Sequence, residues 1–233
     1  MNIPKHIGII CDGNRRFADT LGEELWKGHE YGSEKIDDVL EWCNELGIKM
    51  LTLWLFSTEN FNRPENEKEE LFRIAKETAK RFIENPKVHE IKIKLNVIGN
   101  LSLFPEDVQT EVNKAVDITK DYDGFLLNIA VGYGGKQEIL DGIKRIIKLV
   151  SEGKLKPEEI TKEILDANIY SSMVPNVDLV IRTSGEKRTS GFLIWKTDYA
   201  EYYFSEKFWP EFDKEDLIKA LVEYNERKRR FGI

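Results

Sequence analysis

Apolar runs of strand length alternate with apolar stripes of helical period along nearly this whole chain, and that alternation most constrains its fold. Ile7 to Ile10 form a short apolar run ending in the turn signal Asp12-Gly13-Asn14. Ile36, Val39, Leu40, Cys43 and Leu46 then recur at helical spacing, and Gly47 ends that helix. Met50 to Phe56 reads as a second strand, and Glu65 to Ile83 as a helix with Leu71, Ala75, Ala79 and Phe82 on one face. Lys92 to Ile98 alternates as a third strand. Pro105 opens a helix running to about Lys120.

Phe125 to Val131 is the fourth strand, followed by a helix marked by Ile139, Ile143, Ile147 and Val150. Pro157 opens a shorter helix, Leu179 to Arg182 is a fifth strand, and Phe192 to Trp195 is a candidate sixth. Asp213 to Arg229 closes the chain as a helix with Leu217, Leu221 and Tyr224 on one stripe. Strands this continuously apolar belong in an α/β domain, in a mainly parallel sheet covered on both faces. No repeat, low-complexity stretch or long linker divides the chain, so residues 1–233 are read as one domain.

Composition narrows the function. Lys plus Arg number 35 against 42 Asp plus Glu, a net charge of −7, which excludes a general nucleic-acid binder and requires any anion site to be a local cluster of cations. Two cysteines and three histidines without metal-ligand spacing exclude a disulfide scaffold and a structural zinc. With no apolar run of membrane-spanning length and no signal-peptide layout, a soluble cytoplasmic protein is expected.

In open α/β sheets ligands bind beyond the carboxyl ends of strands, so the chemistry is sought at the strand exits. After the first strand comes Asp12-Gly13-Asn14-Arg15-Arg16-Phe17, where helix-start N–H groups and two arginines make an anion cradle. Asp12 beside a phosphate site most simply implies a Mg²⁺ bridging the two. A helix N-cap followed by solvated arginines accounts for the same residues. After the second strand, Ser57-Thr58-Glu59-Asn60-Phe61-Asn62-Arg63-Pro64 offers hydroxyls, an acid, an amide and a cation, or is a polar loop. After the fifth, Arg182-Thr183-Ser184-Gly185-Glu186-Lys187-Arg188-Thr189-Ser190 suits phosphate oxygens, or is a salt-bridged surface loop. Together the three exits indicate a site for two phosphorylated groups and a divalent cation.

Other motifs carry less. Gly132-Tyr133-Gly134-Gly135-Lys136 lacks the Walker A spacing and its Ser/Thr, and the first strand is not followed by G-x-G-x-x-G. Asp37-Asp38 reads as a solvated helix face, and His6 and His89 as structural. His29 sits in what reads as a polar loop after the cradle.

Asp12-Gly13-Asn14-Arg15-Arg16, Gly28-His29, Phe56 to Pro64, Asn128-Ile129-Ala130 with Gly132-Tyr133-Gly134-Gly135, Asp178 to Thr183, Tyr199-Ala200-Glu201 and Arg230-Phe231-Gly232 occur in the order seen in the cis-prenyltransferases, the undecaprenyl diphosphate synthase family, which the chain resembles over nearly its whole length. The resemblance implies a homodimer whose subunits carry a six-stranded, mostly parallel sheet, flanking helices and a hydrophobic tunnel. It implies Mg²⁺-dependent condensation of isopentenyl diphosphate with an allylic prenyl diphosphate, giving a cis-polyprenyl diphosphate.

On this chain the resemblance makes Asp12 the essential acid and Asn60 a participant in proton removal. Gly13, Asn14, Arg15 and Arg16, with Phe17 beside them and His29 in addition, correspond to the allylic diphosphate site. Ser57, Thr58, Glu59, Phe61 and Arg63 surround the substrates. Arg182, Arg188, Thr189 and Ser190 correspond to the isopentenyl diphosphate site, Glu201 to a second metal carboxylate acting across the dimer interface, and Arg230 and Gly232 to a C-terminal Arg-x-Gly closing over substrate.

The chain departs from the family pattern at several positions. Leu25 stands where many members carry an arginine, Lys187 replaces a common histidine, and Gly191 replaces a common asparagine. Leu55 replaces a small alanine, which points to a short-to-medium product if the side chain lines the tunnel. An atypical acceptor or regiochemistry on this scaffold, and a non-catalytic partner subunit of a heteromeric enzyme, are the alternatives. A greasy product would bring the protein to a membrane surface, although the charge balance offers no basic face for it.

Overall fold

Six strands form one sheet in the order β3-β4-β2-β1-β5-β6 in the computed structural model, which describes residues 3–227. They are β1 (His6–Ile10), β2 (Met50–Ser57), β3 (Ile93–Ile98), β4 (Phe125–Tyr133), β5 (Leu179–Arg182) and β6 (Glu201–Phe204). Every neighbouring pair runs parallel, so the sheet is wholly rather than mostly parallel. The helices are α1 (Asn14–Thr20), α2 (Lys27–Glu45), α3 (Glu65–Glu84), α4 (Pro86–Glu90), α5 (Glu106–Thr119), α6 (Gly135–Ser151), α7 (Lys162–Asn168) and α8 (Lys214–Glu226). None of the described helices is long and apolar enough to cross a membrane.

The apolar stripes read on α2, α3, α5 and α8 turn toward the core, whereas the stripe read on α6 does not: Ile143 and Ile147 are exposed, and Ile139 and Val150 are half-buried. Ile36, Val39, Leu40 and Cys43 of α2, Phe82 of α3, Ala115 of α5 and Leu217, Ala220, Leu221 and Tyr224 of α8 pack with Ile7, Ile9, Leu51, Leu53, Leu95 and Leu127 on one face of the sheet. The other face is covered differently. Trp54, Ala130 and Val180 pack there against Val174, Val177, Phe192 and Leu193, which come from turns and irregular segments rather than helices.

Two expectations fail here. Phe192 to Trp195 forms turns, with Leu193 at φ 42°, and the sixth strand is Glu201–Phe204. A short apolar run fits a buried strand, whereas these residues are buried because they cap the sheet from above. Pro157 opens only a short 3₁₀ turn, and α7 starts later, with the Thr161 hydroxyl accepting from the Ile164 N–H.

A chain of polar side chains crosses the sheet, buried at His6, Thr52 and Asn128 and half-buried at Asn96. Asn96 of β3 donates to Asn128 of β4 at 2.8 Å, and Asn128 donates to Thr52 Oγ1 of β2 at 3.0 Å. Thr52 Oγ1 lies 2.7 Å from His6 Nε2 of β1, and His6 Nδ1 lies 3.0 Å from the Pro175 carbonyl. A carbonyl only accepts, so Nδ1 carries the proton and Nε2 accepts from Thr52. Burial holds the His6 pKa down at about 4, so the ring is neutral.

The order of strands fixes where a ligand binds. The chain leaves β1 for β2 on one side and returns to place β5 on the other, so β1 and β5 meet at the switch point of the sheet. The three polar exits picked out in the sequence follow β2, β1 and β5, which are direct neighbours.

Candidate active site

Asp12 follows β1 in a loop clamped from both sides. Its N–H donates to Thr183 Oγ1 at 2.9 Å, the Thr183 hydroxyl donates to its carbonyl at 2.6 Å, and the Trp209 N–H donates to the same carbonyl at 2.9 Å. The next residue, Gly13, has φ 103°, and a Cβ there would press into Phe208 and Ser184, so the turn into α1 requires glycine.

The Asp12 carboxylate faces cations. Arg182 Nη2 donates to Oδ2 at 2.7 Å, and Arg16 Nη2 stands 3.5 Å from Oδ1. Burial alone would raise the pKa of Asp12, but Arg182, Ser184 and Arg16 outweigh it and hold the carboxyl below its ordinary value.

Arg182 is itself 4% exposed. Its Nη1 donates to the Arg188 carbonyl at 2.5 Å and to Ser190 Oγ at 2.9 Å, and its Nε is buried without an acceptor. Arg16 donates to Ser184 Oγ at 2.6 Å and pairs with Glu186 at 3.2 Å, while Glu186 also holds Arg188. Ser184, at φ 79°, is pinned by its N–H to the Lys207 carbonyl at 2.6 Å.

The β2 exit turns into a short 3₁₀ segment, in which Asn60 Oδ1 accepts from the Ser57 N–H at 2.8 Å. Arg63 beyond it lies 3.0 Å from His29 Nε2 and 3.0 Å from Glu67 Oε1. Arg15 reaches the same Glu67 oxygen at 3.4 Å, so one buried carboxylate steadies two arginines. His29 lies in α2 rather than in a polar loop: Gly28, where a Cβ would strike the Asn14 backbone, lets α2 close onto α1. Burial, with the charges of Arg63 and Arg15, lowers the His29 pKa to about 3.

One polar cleft gathers most of the residues singled out in the sequence. Asp12, Gly13, Asn14, Arg15, Arg16 and His29 line it with Ser57, Glu59, Asn60, Arg63, Arg182, Arg188 and Ser190. Five lie outside its lining. Phe17 packs edge-on against Tyr31, Thr58 sits against Gly134, and Phe61 joins Phe56, Phe72 and Phe104 in an aromatic cluster. The Thr189 carbonyl accepts from Phe192 N–H, and Glu201 begins the edge strand β6, paired with Arg227 at 3.1 Å. Arg230 and Gly232 lie outside the described residues.

Beneath the cleft is an apolar pocket between α2, α3, α5 and the sheet. Ile36, Leu71, Ala75, Ala79, Phe82 and Val112 line its walls, and it shares Cys11, Asn14, His29, Leu55 and Phe56 with the cleft. Burial, and then the charge of Asp12, raises the Cys11 pKa well above the ordinary range, so its thiol is a neutral lining group. The composite site therefore has an anion-binding mouth and an oily floor.

Among the described residues no cluster of three or more His, Cys, Asp or Glu side chains forms a protein-only metal cage. An ionised Asp12 at an anion-binding cleft still fits Mg²⁺, which takes one or two carboxylates and completes its shell with substrate phosphates and water.

Sequence reading missed Glu67, which sits in the first turn of α3 four residues after Arg63, itself outside the helix. It also passed over Trp54 and Cys11, whose apolar character gave no sign that they line a polar cleft.

The undecaprenyl diphosphate synthase family model matches residues 10–232 of this chain. The chain is 46% identical over 230 residues to a tritrans,polycis-undecaprenyl-diphosphate synthase (geranylgeranyl-diphosphate specific) of Methanopyrus kandleri, covering 99% of this chain and 85% of that one. It is 43% identical over 233 residues to the Methanocaldococcus jannaschii enzyme of the same name, covering 99% and 83%. Lavandulyl diphosphate synthase from Lavandula x intermedia, solved with dimethylallyl diphosphate, superposes with a TM-score of 0.92 at 32% identity, covering 99% and 98%. A probable undecaprenyl diphosphate synthase from Campylobacter jejuni does so with a TM-score of 0.80 at 32% identity, covering the whole of both chains.

Proposed function

We infer the function in detail from one premise: the chain belongs to the undecaprenyl diphosphate synthase family and is a cis-prenyltransferase. It condenses isopentenyl diphosphate with an allylic prenyl diphosphate, and geranylgeranyl diphosphate is the acceptor its archaeal relatives favour by name. The observation that carries this reading is the junction of the Asp12–Arg182–Arg16 charge cluster with an apolar pocket through Cys11, Asn14, His29, Leu55 and Phe56.

The allylic diphosphate is assigned to the mouth formed by Gly13, Asn14, Arg15, Arg16, His29 and Arg63, with its prenyl chain in the apolar pocket. Isopentenyl diphosphate is assigned to Arg182, Arg188 and Ser190. As the allylic C–O bond breaks, negative charge grows on the leaving diphosphate, and preplaced arginines stabilise it without reorganising. The apolar pocket excludes water that would trap the allylic cation. Neutral His29 serves as a hydrogen-bond partner rather than a charge. Asn60 is an amide and not a base, so its part in proton removal is to orient, with its carbonyl oxygen fixed by Ser57. When bound, Mg²⁺ held by Asp12 and substrate oxygens supplies further neutralisation of the leaving diphosphate.

Exposed apolar residues support a homodimer. Leu140, Ile143 and Ile147 of α6 are 46%, 43% and 60% exposed, and Ile194 beside the start of α6 is 40% exposed. A second copy covering this face would bury them and bring Glu201 toward its neighbour's site, where it would act as a second metal carboxylate. We place the enzyme in the cytoplasm, touching membranes through its lipid product.

The test combines purified protein, Mg²⁺, labelled isopentenyl diphosphate and acceptors from dimethylallyl to geranylfarnesyl diphosphate. A ladder of cis-prenyl products, longest from geranylgeranyl diphosphate and lost in Asp12→Ala, is expected. A folded protein that incorporates no label with any acceptor overturns the reading in favour of a non-catalytic partner subunit.

A further inference from the structure

The ladder between β2 and β4 shifts register between Trp54 and Phe56 and again between Phe56 and Ser57, at the rim of the cleft. Successive residues of a strand point to opposite faces, which already parts Trp54 from Leu55, and the irregularity after them turns Phe56 onto the Leu55 side. Leu55 packs with the α2 and α3 side of the sheet and lines both the polar cleft and the apolar pocket. Trp54 belongs to the opposite face and lines the cleft but not the pocket. Ile10 is in register with both Trp54 and Arg182, so these two project to the same side of the sheet, and Arg182 in turn holds Ser190 and the Arg188 carbonyl.

The indole is held rigidly. It stacks on Phe192 with ring centroids 5.6 Å apart at 18°, and meets Tyr133 edge-on at 5.9 Å. Trp54 is 8% exposed, and its Nε1–H is buried without an acceptor, as is Arg182 Nε. Buried donors without acceptors are rare and costly in folded proteins, and only the oxygens of a bound diphosphate, not its hydrocarbon chain, could satisfy them. A flat, rigid aromatic surface beside diphosphate-binding cations suits a small branched hydrocarbon carried on a diphosphate.

We propose that Trp54 is a specificity-determining residue that supports the five-carbon chain of the isopentenyl substrate, while Leu55 faces the allylic chain. The proposal rests on the assignment of Arg182, Arg188 and Ser190 to isopentenyl diphosphate given above. Two successive residues of β2 thereby sort two prenyl groups to opposite faces of the sheet. The rigid Trp54–Phe192 stack limits the bulk accepted at the branch carbon of the substrate.

Titration calorimetry with Mg²⁺ separates this contact from the diphosphate contacts. In Trp54→Leu, affinity for isopentenyl diphosphate falls about tenfold, while affinity for inorganic pyrophosphate stays within about twofold. In Trp54→Phe, which keeps a ring against Phe192, the ratio of kcat/KM for 3-ethylbut-3-enyl diphosphate to that for isopentenyl diphosphate rises relative to wild type. Unchanged isopentenyl affinity in a folded Trp54→Leu variant overturns the proposal, as does an equal loss for pyrophosphate, which marks general loosening of the wall. Wild-type protein that binds pyrophosphate but gains no affinity from the isopentenyl group overturns the substrate assignment itself.

Discussion

Arg182 and Asp12, the last residue of β5 and the second after β1, meet at 2.7 Å, and the same guanidinium holds Ser190 at 2.9 Å. The arginine thus ties a carboxylate suited to metal to the loop suited to the second diphosphate.

Asp12→Asn keeps the shape of that junction and removes its charge. Steady-state incorporation of labelled isopentenyl diphosphate is expected to drop about a hundredfold or more, with the circular dichroism spectrum unchanged. A variant retaining a third of wild-type turnover would remove Asp12 from the catalytic role.

Leu55 lines the apolar pocket beside the cleft, so its volume bears on the growing chain. Leu55→Ala is expected to lengthen the longest products, read by chromatography of dephosphorylated label. An identical product distribution would place the length-setting wall elsewhere in the pocket.

Glu67 steadies Arg15 and Arg63 from inside α3. Glu67→Ala is expected to raise KM for the allylic substrate about tenfold while leaving KM for isopentenyl diphosphate close to wild type. Equal effects on both substrates would mean the carboxylate organises the whole cleft.

His6 predicts a pH dependence of stability. Its folded pKa, about 4, lies below the ordinary 6.5, so the unfolded chain binds the extra proton first on acidification. Stability is complete above about pH 6.5 and falls by about 3 kcal/mol towards pH 4 from this group. Urea midpoints measured across that range are expected to slope less in His6→Gln than in wild type, with His29 supplying part of the slope that remains.

The exposed stripe on α6 gives the assembly test. Ile143→Lys with Ile147→Lys is expected to turn a dimer into a monomer in sedimentation. Loss of activity together with dimerisation would support Glu201 acting on its neighbour's substrate, whereas a fully active monomer would confine the site to one chain.

Much of the site was legible because strand exits announce themselves: Asp12-Gly13-Asn14 and the Arg182 to Ser190 segment put turn residues and cations directly after apolar runs. The helices were legible from their stripes. The edge strand β6 was not, because Glu201 to Phe204 is only four residues long and only partly buried, with the aromatic run Tyr202 to Phe204 too short to stand out. Phe192 and Leu193 misled for the opposite reason, being fully buried from turns. Phe61 carried the resemblance, and Phe17 stands beside its first motif, yet both pack against other aromatics, since a side chain follows its local packing and not its sequence neighbours.

Strands built from Ile, Leu and Val would tolerate sliding past one another by two residues, because the same faces stay apolar. Asn96, Asn128, Thr52 and His6 remove that freedom. Any such slip strands several of these groups in the core at about 1–3 kcal/mol each, so one alignment of the four strands is singled out. The ends of β1 and β2 are then fixed against each other, and with them Asp12 and Ser57. Residues remote from the substrates thereby set the alignment of the active site, and substitutions at Thr52 or Asn128 belong among the changes that blur it.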